Sequence, residues 1–489
     1  MIEPLQTGTD YFLAGICGAG MSSLALLLSS LGVRVRGTDI STAGPEAQSL
    51  RSRGVEVLSE TDGAATLRRD EVVVRSSAIH PGNPVLVSAG KLGLLVLHRT
   101  DVLAAVASGY FLIAVAGTHG KTTTAGMIGY VLASEGLEPT IYVGGHIAGF
   151  DRCFPPGRTE AKKILGRPIM VLETDESDGS FLKFHADVAV ATNIDRDHLG
   201  TYGGEFANLV TAFRQFLGQC AERDGLAIGC GDDPEVWGIV CNMERHVLYG
   251  TAASNQVRIG YDAAANSAIV VRGDAAEVFH MERGDEKSYQ NAVAAALACE
   301  AVGVHFDDAL RVLKSFPGME RRMQVLADCH GVAVLTDHAD HPTEIRATLQ
   351  AVSVRYPGRR VTLVLQPHRF SRVSLCLEQY GPALSGVSQV VLLDIFTAGE
   401  TTEQPDRLNK RLWTSIKTAI GGSLQERMSA EQALDFLLAS VAPGDVVLFM
   451  GPGDVNKLGL RFCGLLSGSN AVECDRAVFL KEHGRQENS

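Results

Sequence analysis

The sequence predicts an α/β protein in three blocks, each built on strands that feed into helices. Two observations carry this. Short apolar runs recur from Tyr11 to Phe449, and each stops at a glycine or a polar turn before a segment with helical spacing. The chain has 489 residues, a length that points to two to four domains. Its hydrophobic fraction of 45% and charged fraction of 20% are those of a globular protein with ample core.

The first block opens on Tyr11-Phe12-Leu13-Ala14-Gly15, read as a buried strand. Cys17-Gly18-Ala19-Gly20 is a tight turn, and Met21 to Leu31 has helical spacing ending at Gly32. Val33 to Gly37 is a second strand, closed by Thr38-Asp39. This is a βαβ unit with a glycine loop and an acid at the second strand's end, a Rossmann-like pattern. The dinucleotide fingerprint fits in part, because Ser23 stands where glycine or alanine is expected. An NAD site, another nucleotide ligand and a purely structural turn therefore all stay open. Val72 to Ile79 reads as a further strand, His80 to Pro84 as loop, and Leu94 to His98 as a short strand before Arg99. A domain boundary falls near residue 108.

The second block begins with Phe111 to Ala116, an apolar run that stops at Gly117-Thr118-His119-Gly120-Lys121-Thr122-Thr123-Thr124. A helix-like segment follows to Gly136. Glycines let backbone N–H groups turn toward an anion, and the helix N-terminus adds partial positive charge. This is a phosphate cradle in which Lys121 reaches the β- and γ-phosphates and the Thr122 hydroxyl ligates Mg²⁺. The full Walker pattern asks for one more glycine, at a position held here by Val115.

Two further strands end in acids. Ile169 to Leu172 runs into Glu173-Thr174-Asp175-Glu176-Ser177-Asp178, and Val188 to Asn193 runs into Asp195-Arg196-Asp197-His198. In an open parallel sheet that carboxyl edge is where ligands bind. Mg²⁺ prefers hard oxygen ligands, which suits Glu173, and His198 gains a functional reading from the same position. Residues 225–285 alternate short β-like runs and read as a β insertion, and Asn291 to Val302 reads as an alanine-rich packing helix. A third block starts near 326. Its strands, Val332 to Leu335, Val361 to Leu365, Val390 to Leu393 and Val446 to Phe449, lead into polar groups such as Asp337 to Glu344 and Gln366 to Arg372. Arg369 and Arg372, three apart, share a helix face in this reading and grip a carboxylate or phosphate. The tail from Lys481 is polar and loose.

Net charge is −12, which argues against a general nucleic-acid binder. Ten scattered cysteines without a Cys-x-x-Cys pair show neither a zinc framework nor a disulfide ladder, so reduced thiols and a cytoplasmic location are expected. The start carries no basic leader-like region, and no apolar run reaches the roughly 18 residues of a membrane span. No nucleic-acid or membrane partner is expected.

The order of Gly18-Ala19-Gly20-Met21-Ser22, Ser76-Ser77-Ala78-Ile79, Gly117 to Thr124, Glu173 to Asp178, Thr192-Asn193 with Asp197-His198, Arg321-Arg322, His341-Pro342-Thr343-Glu344 and Gln366 to Arg372 resembles the Mur ligases over nearly the whole chain. The resemblance implies a UDP-sugar-binding domain at 1–107, a central ATP-binding domain at 108–325 and an amino-acid-binding, Rossmann-like domain at 326–489. It implies a ligase that uses ATP and Mg²⁺ to join an amino acid, L-alanine foremost, to the lactyl carboxylate of UDP-N-acetylmuramate. The chain is then a monomer or weak homodimer. By the same resemblance, Gly18, Ala19, Gly20, Met21, Ser22, Asp39, Ser76 and Ser77 hold the UDP-sugar. Gly117, Thr118, His119, Gly120, Lys121, Thr122, Thr123, Asn291 and Arg322 hold ATP. Thr122, Glu173 and His198 ligate the metal, and Lys121, Glu173 and His198 act in catalysis. Arg369, Arg372, His338 and Asp340 hold the amino acid.

Two stretches depart from the family pattern. Asp285-Glu286-Lys287-Ser288 replaces a Gly-x-His-Asn near the adenosine, with Asn291 kept, and Asp337-His338-Ala339-Asp340-His341-Pro342 replaces Asp-Tyr-Gly-His-His-Pro. The alternatives are a ligase that recycles ready-made peptide, a nucleotide-binding module without turnover, and a nicotinamide-dependent oxidoreductase.

Overall fold

Strand β1 (Asp10–Ala14) is buried along its whole length, as a strand covered by helices on both faces must be. The first sheet forms around it. The chain runs through α1 (Ala19–Ser30), β2 (Val35–Thr38), α2 (Pro45–Ser52), β3 (Glu56–Leu58), α3 (Glu60–Ala65), β4 (Glu71–Arg75), α4 (Pro84–Leu92), β5 (Val96–His98) and α5 (Arg99–Ala107). The parallel order is β3-β2-β1-β4-β5. Strand order reverses between β1 and β4, and ligands of open α/β sheets bind at such a reversal. The Gly18–Gly20 loop follows β1 and Ser76-Ser77 follows β4, so both lie at that edge.

The expected strand at Val72 to Ile79 ends at Arg75, because Ser76 opens a turn closed by the Ile79 N–H on its carbonyl at 3.2 Å. Helix α4 begins inside the expected His80 to Pro84 loop, with Asn83 capping the Val85 N–H and Pro84 at the first position. The Arg36 guanidinium binds the buried Glu71 carboxylate at 2.6 and 3.0 Å and lies over the Phe12 ring, joining β2 to β4 across β1.

The structure is a computed structural model that describes residues 8–150 and 163–468, apart from 263, 282, 283, 399, 401–403, 426 and 427. The first few residues, read above as leaderless, and the tail from Lys481, read as loose, lie outside the described residues. The chain divides into two compact units, Met1–Pro317 and Gly318–Ser489.

The first unit holds a second, larger sheet. Its elements are β6 (Phe111–Ala116), α6 (Lys121–Ser134), β7 (Thr140–Tyr142), β8 (Lys163–Ile164), β9 (Arg167–Glu173), β10 (Val188–Ala191), α7 (Phe206–Ala221), β11 (Leu226–Cys230), α8 (Pro234–Val240), β12 (His246–Gly250), β13 (Val257–Asp262), β14 (Ser267–Arg272), β15 (Ala275–Phe279), α9 (Glu286–Glu300) and α10 (Phe306–Leu313). The order is β15-β14-β13-β12-β11-β10-β6-β9-β7, with β8 paired to β9.

The β-insertion reading of 225–285 is corrected by this topology. Strands β11 and β12 belong to the parallel sheet, with α8 between them, and β13 pairs parallel to β12. Within 225–285 the antiparallel hairpins run from β13 to β15. Burial explains the confusion: β11 is buried almost throughout, whereas β13 alternates buried and exposed positions. Helix α9 starts before the expected Asn291, because Asp285 caps it through the Ser288 N–H at 2.7 Å.

The second unit has one sheet, ordered β16-β17-β20-β18-β19. Its elements are β16 (Gln324–Cys329), β17 (Val332–Asp337), α11 (Pro342–Arg355), β18 (Val361–Leu365), α12 (Phe370–Ala383), β19 (Gln389–Leu392), α13 (Pro405–Ile420), α14 (Ala430–Ser440), β20 (Val446–Met450) and α15 (Val455–Ser467). All its pairs are parallel except β16 with β17. Strand β16, which the sequence reading left out, lies across the expected boundary at 325/326.

Gly37 decides how closely β2 approaches β1, since a Cβ there would lie 2.2 Å from the Leu13 carbonyl oxygen. Gly37→Val is therefore expected to lower unfolding stability by about 1–3 kcal/mol through overpacking. A urea denaturation midpoint equal to wild type would contradict this.

Candidate active site

The cradle forms because β6 is a fully buried central strand whose chain must turn at once into α6. Gly117 has φ +136°, and a Cβ there would lie 2.0 Å from Thr192 Oγ1. Gly120 has φ +84°, and a Cβ there would lie 2.8 Å from Asn291 Oδ1. Only glycine fits either position. Asn291, from α9, thus packs directly on the turn.

The loop between the glycines is braced from the end of β10. The Asn193 Oδ1 accepts the His119 N–H at 2.9 Å, and its amide donates to the His119 carbonyl at 2.9 Å. The Thr192 hydroxyl donates to the same carbonyl at 2.6 Å. The Thr118 N–H donates to the Asn193 carbonyl, and Thr118 Oγ1 accepts the Asp195 N–H at 2.8 Å. The His119 ring nitrogen Nε2 lies 3.0 Å from Asp195 Oδ2.

Lys121 Nζ donates to the carbonyls of Gly117 (2.6 Å) and Thr118 (3.1 Å) and to Glu176 Oε1 (3.0 Å), with Glu176 Oε2 at 2.9 Å. The Glu176 side chain is 1% exposed. Burial pushes the lysine pKa down, but the Glu176 and Asp175 carboxylates outweigh it and the net shift is upward, so the ammonium stays charged. Burial also pushes Glu176 above the usual carboxylate range, against the pull of Lys121. Asp175 moves the other way. Burial opposes its charge, yet Lys121, the Ser177 bonds and His198 hold it below the usual range.

The next residue, Thr122, donates its hydroxyl to Glu173 Oε1 at 2.7 Å, and the Gly144 N–H donates to Glu173 Oε2 at 2.6 Å. His198 sits at a backbone φ of +55° ahead of the short turn Leu199–Tyr202, with Asp197 Oδ1 accepting its N–H. Lys121, Thr122, Glu173 and Asn291 therefore gather around one turn, and His198 is near enough to Asp175 for its charge to act on that carboxylate. Thr123 is half-buried in the first turn of α6.

The glycine loop after β1 is organised differently. Gly18 precedes α1, and its carbonyl accepts the N–H groups of Met21 (2.9 Å) and Ser22 (2.8 Å). The Met21 side chain is buried in the core, so it offers a ligand only its backbone. Ala19 and Gly20 form the first turn. Asp39 bonds backbone amides with both oxygens, Cys17 at 2.9 Å and Ser41 at 3.0 Å, and so fixes the loop's shape. Ser76 is half-buried, and Ser77 is exposed with its hydroxyl 3.0 Å from His98 Nε2. His98 Nδ1 lies at the cap of α5, 2.7 Å from Thr100 Oγ1 and 3.4 Å from the Thr100 N–H, so the ring bridges that cap to Ser77. Burial and the Lys183 charge lower the His98 pKa, in keeping with a neutral ring.

The remaining expected residues belong to the second unit. Arg372 Nη1 donates to both Asp340 oxygens, at 2.8 and 2.9 Å, and the Tyr380 hydroxyl donates to the Asp340 carbonyl at 2.9 Å. The shared helix face expected for Arg369 and Arg372 does not form. Arg369 precedes α12 with a φ of +63° and is exposed, whereas Arg372 lies inside the helix and is largely buried. Arg321 donates to the carbonyls of Gly451, Pro452 and Gly453 and acts as a brace. Arg322 lies near Asp337 and His338, raising the local positive potential. Burial, with Arg322 and Arg321 nearby, pushes the His338 pKa down to about 3.

Sequence reading did not single out Glu176, which holds Lys121, or Tyr142, whose hydroxyl donates to the Gly20 carbonyl at 2.8 Å. Glu176 was visible only as one acid among several in its run. Tyr142 ends a short strand with no polar signature.

Three family models match consecutive stretches of the chain. "Mur ligase family, catalytic domain" covers 11–111, "Mur ligase middle domain" covers 115–299, and "Mur ligase, glutamate ligase domain" covers 321–453. The UDP-N-acetylmuramate–L-alanine ligase of Symbiobacterium thermophilum is 36% identical over 460 residues, covering 91% of this chain and 92% of its own. The ligase of the same name from Gloeobacter violaceus is 35% identical, covering 94% of this chain and 96% of its own. Among solved structures, the UDP-N-acetylmuramate-alanine ligase of Thermotoga maritima superposes with a TM-score of 0.76 at 23% identity, over 94% of this chain and 99% of that one. A murein peptide ligase of Psychrobacter arcticus gives 0.72 at 21% identity, over 94% and 99%. With relatives this similar along nearly its full length, and a lysine cradle braced from the neighbouring strand, the chain belongs to the Mur ligase family.

Proposed function

We propose that the protein is an ATP-dependent ligase that joins L-alanine to the lactyl carboxylate of UDP-N-acetylmuramate, a step in peptidoglycan precursor synthesis. The observation that carries this reading is the charged Lys121 in a turn shaped by Gly117 and Gly120, with Thr122 and Glu173 in contact beside it. A triphosphate would exchange for Glu176 and the two carbonyls as the lysine's partner.

A hydroxyl, a carboxylate and an imidazole are the donors at the metal position. The paired oxygens of Thr122 and Glu173, 2.7 Å apart, suit a hard cation, and the charge of His198 reaches the neighbouring Asp175. Mg²⁺ held by Thr122, Glu173 and His198 would spread the charge on the phosphates.

A carboxylate is a poor acyl donor. The lactyl carboxylate oxygen attacks the γ-phosphorus of ATP, the bond to the ADP oxygen breaks, and an acyl phosphate forms. Lys121 neutralises charge developing on the transferring group. The neutral amine of the amino acid then attacks the acyl carbon. Inorganic phosphate leaves with the C–O electron pair, the amine gives up its proton, and the amide remains. Positioning three substrates together supplies much of the acceleration. Asp39 has both oxygens on backbone amides, a poor arrangement for the ribose hydroxyls of a nicotinamide dinucleotide. The UDP part of the substrate is assigned to that loop instead.

In the second unit, Arg372 is the assigned carboxylate anchor of the amino acid. Asp340 holds it oriented, and the exposed Arg369 completes the grip. Neutral His338 keeps an additional charge out of this region.

Phosphate release should be measured with Mg²⁺, ATP, UDP-N-acetylmuramate and single amino acids. Release is expected with L-alanine above glycine and L-serine; release only with a ready-made peptide would favour a recycling ligase, and none at all a binding module. Lys121→Ala is expected to cut turnover by at least about 10²-fold and, since the buried Glu176 loses its partner, to lower the melting temperature without abolishing the fold. Arg372→Lys is expected to raise the KM for the amino acid by about tenfold with the KM for ATP little changed, since an ammonium cannot reproduce the guanidinium fork. An equal rise in both would remove Arg372 from the amino-acid site.

His338 gives a pH prediction. Its folded pKa lies below the unfolded value, so the unfolded state binds more protons between about pH 3 and 6.5. Its contribution is full above the unfolded value and is lost as pH falls toward the folded one. His338→Gln should therefore show a smaller drop in melting temperature from pH 7 to pH 4.5 than wild type. Parallel curves would show that His338 protonation does not govern that loss.

A further inference from the structure

Tyr142, the last residue of β7, reaches in two directions. Its hydroxyl donates to the Gly20 carbonyl, in the first turn of α1. Two residues later, the Gly144 N–H donates to Glu173 Oε2 at 2.6 Å, while Glu173 Oε1 accepts the Thr122 hydroxyl. One short segment thus touches the glycine loop after β1 at one end and the carboxylate beside the lysine cradle at the other.

The segment has little slack. Tyr142 and Val143 are 6% and 9% exposed. Tyr142 is paired in register with Leu172, the neighbour of Glu173. At both contact points the room beside the glycine is taken by the end of a charged side chain. A Cβ on Gly144 would lie 3.1 Å from Glu173 Oε2, and a Cβ on Gly20 would lie 2.6 Å from Arg99 Nη1. Backbone groups make both contacts, the Gly20 carbonyl at one end and the Gly144 N–H at the other. A Glu173 carboxylate drawn toward a nucleotide-bound cation would give up the Gly144 N–H, and with it the hold on the strand end that carries Tyr142.

We propose that Tyr142 is a positioning residue that couples occupancy of the Gly18–Gly20 loop to occupancy of the Lys121 cradle, so that each ligand tightens the other. This rests on the reading of the two sites given above. A second bond joins the same two sheets elsewhere: Lys183 Nζ meets Asp101 Oδ1 at 2.5 Å, touching neither Gly20 nor Glu173. It supplies the control.

The experiment is titration calorimetry on the full chain with Mg²⁺. The affinity for a non-hydrolysable ATP analogue is measured with and without saturating UDP-N-acetylmuramate. Wild type is expected to bind the analogue about fivefold or more tightly when the sugar nucleotide is present. Tyr142→Phe should bring that factor close to one, with each ligand's separate affinity changed less than about twofold. Gly144→Ala, acting from the other end, should also reduce it, and it carries the test if Tyr142→Phe unfolds. Lys183→Met should keep the wild-type factor. An unchanged factor in Tyr142→Phe, a factor near one in wild type, or an equal loss in Lys183→Met would each overturn the coupling role while leaving the proposed function standing. Wild type that binds neither ligand would instead overturn the proposed function, and the coupling with it.

Discussion

A lysine ammonium taken out of water is the constraint around which the cradle is arranged. An unpaired charge in that position would be costly, so the fold has to supply partners. It does so with two carbonyls of the turn itself and with Glu176 from the loop after β9. Carbonyls can turn inward only if the turn takes left-handed backbone values, which makes glycine necessary at 117 and 120. With that much conformational freedom, the turn would be loose. Thr192 and Asn193, fixed at the end of β10, bind it back on both its N–H and its C=O sides. The charge, the glycines and the braces are therefore one solution to one problem, and a polyphosphate can take over the lysine without rebuilding the loop.

The same economy governs the loop after β1. An acid at the end of β2 suggests contact with a ribose when read from spacing alone. In the folded chain its oxygens meet the amides of Cys17 and Ser41, so the acid shapes the loop. Burial raises the Cys17 thiol to about 11, with Asp39 adding to the effect, and the thiol stays protonated and inert beside the loop. The surface left to a ligand is backbone and helix terminus, which suits a diphosphate.

How much of this was legible in the sequence depended on whether the signal was local. Strands such as Phe111–Ala116 and Val446–Met450 are continuous apolar runs buried on both faces, and spacing finds them. The cradle was legible because its residues are adjacent and each has a fixed chemical role. Strand β16 was not, because Asp328 interrupts an edge strand paired on one side. The extension from β11 to β15 was misread because its parallel and antiparallel parts look alike when each run is short. Glu176 and Tyr142 were out of reach for a different reason. Their partners lie 55 and 122 positions away in the chain, and no local pattern records such a pairing.

The arginine pair in the second unit shows the same limit from the other side. A three-residue spacing places two side chains on one face only if both residues are helical. Arg369 is not. It carries a left-handed backbone angle, which for a non-glycine residue costs on the order of 1–3 kcal/mol. Its N–H is held by the Phe396 carbonyl at 2.8 Å. The strain turns the chain sharply between β18 and α12, leaving Arg369 at the surface while Arg372 enters the helix against Asp340. An aspartate at that point neutralises a guanidinium that would otherwise be half-buried and only partly solvated. Asp340 thereby presets the fork of Arg372 inside the helix, while the backbone turn that strains Arg369 leaves its guanidinium outside it.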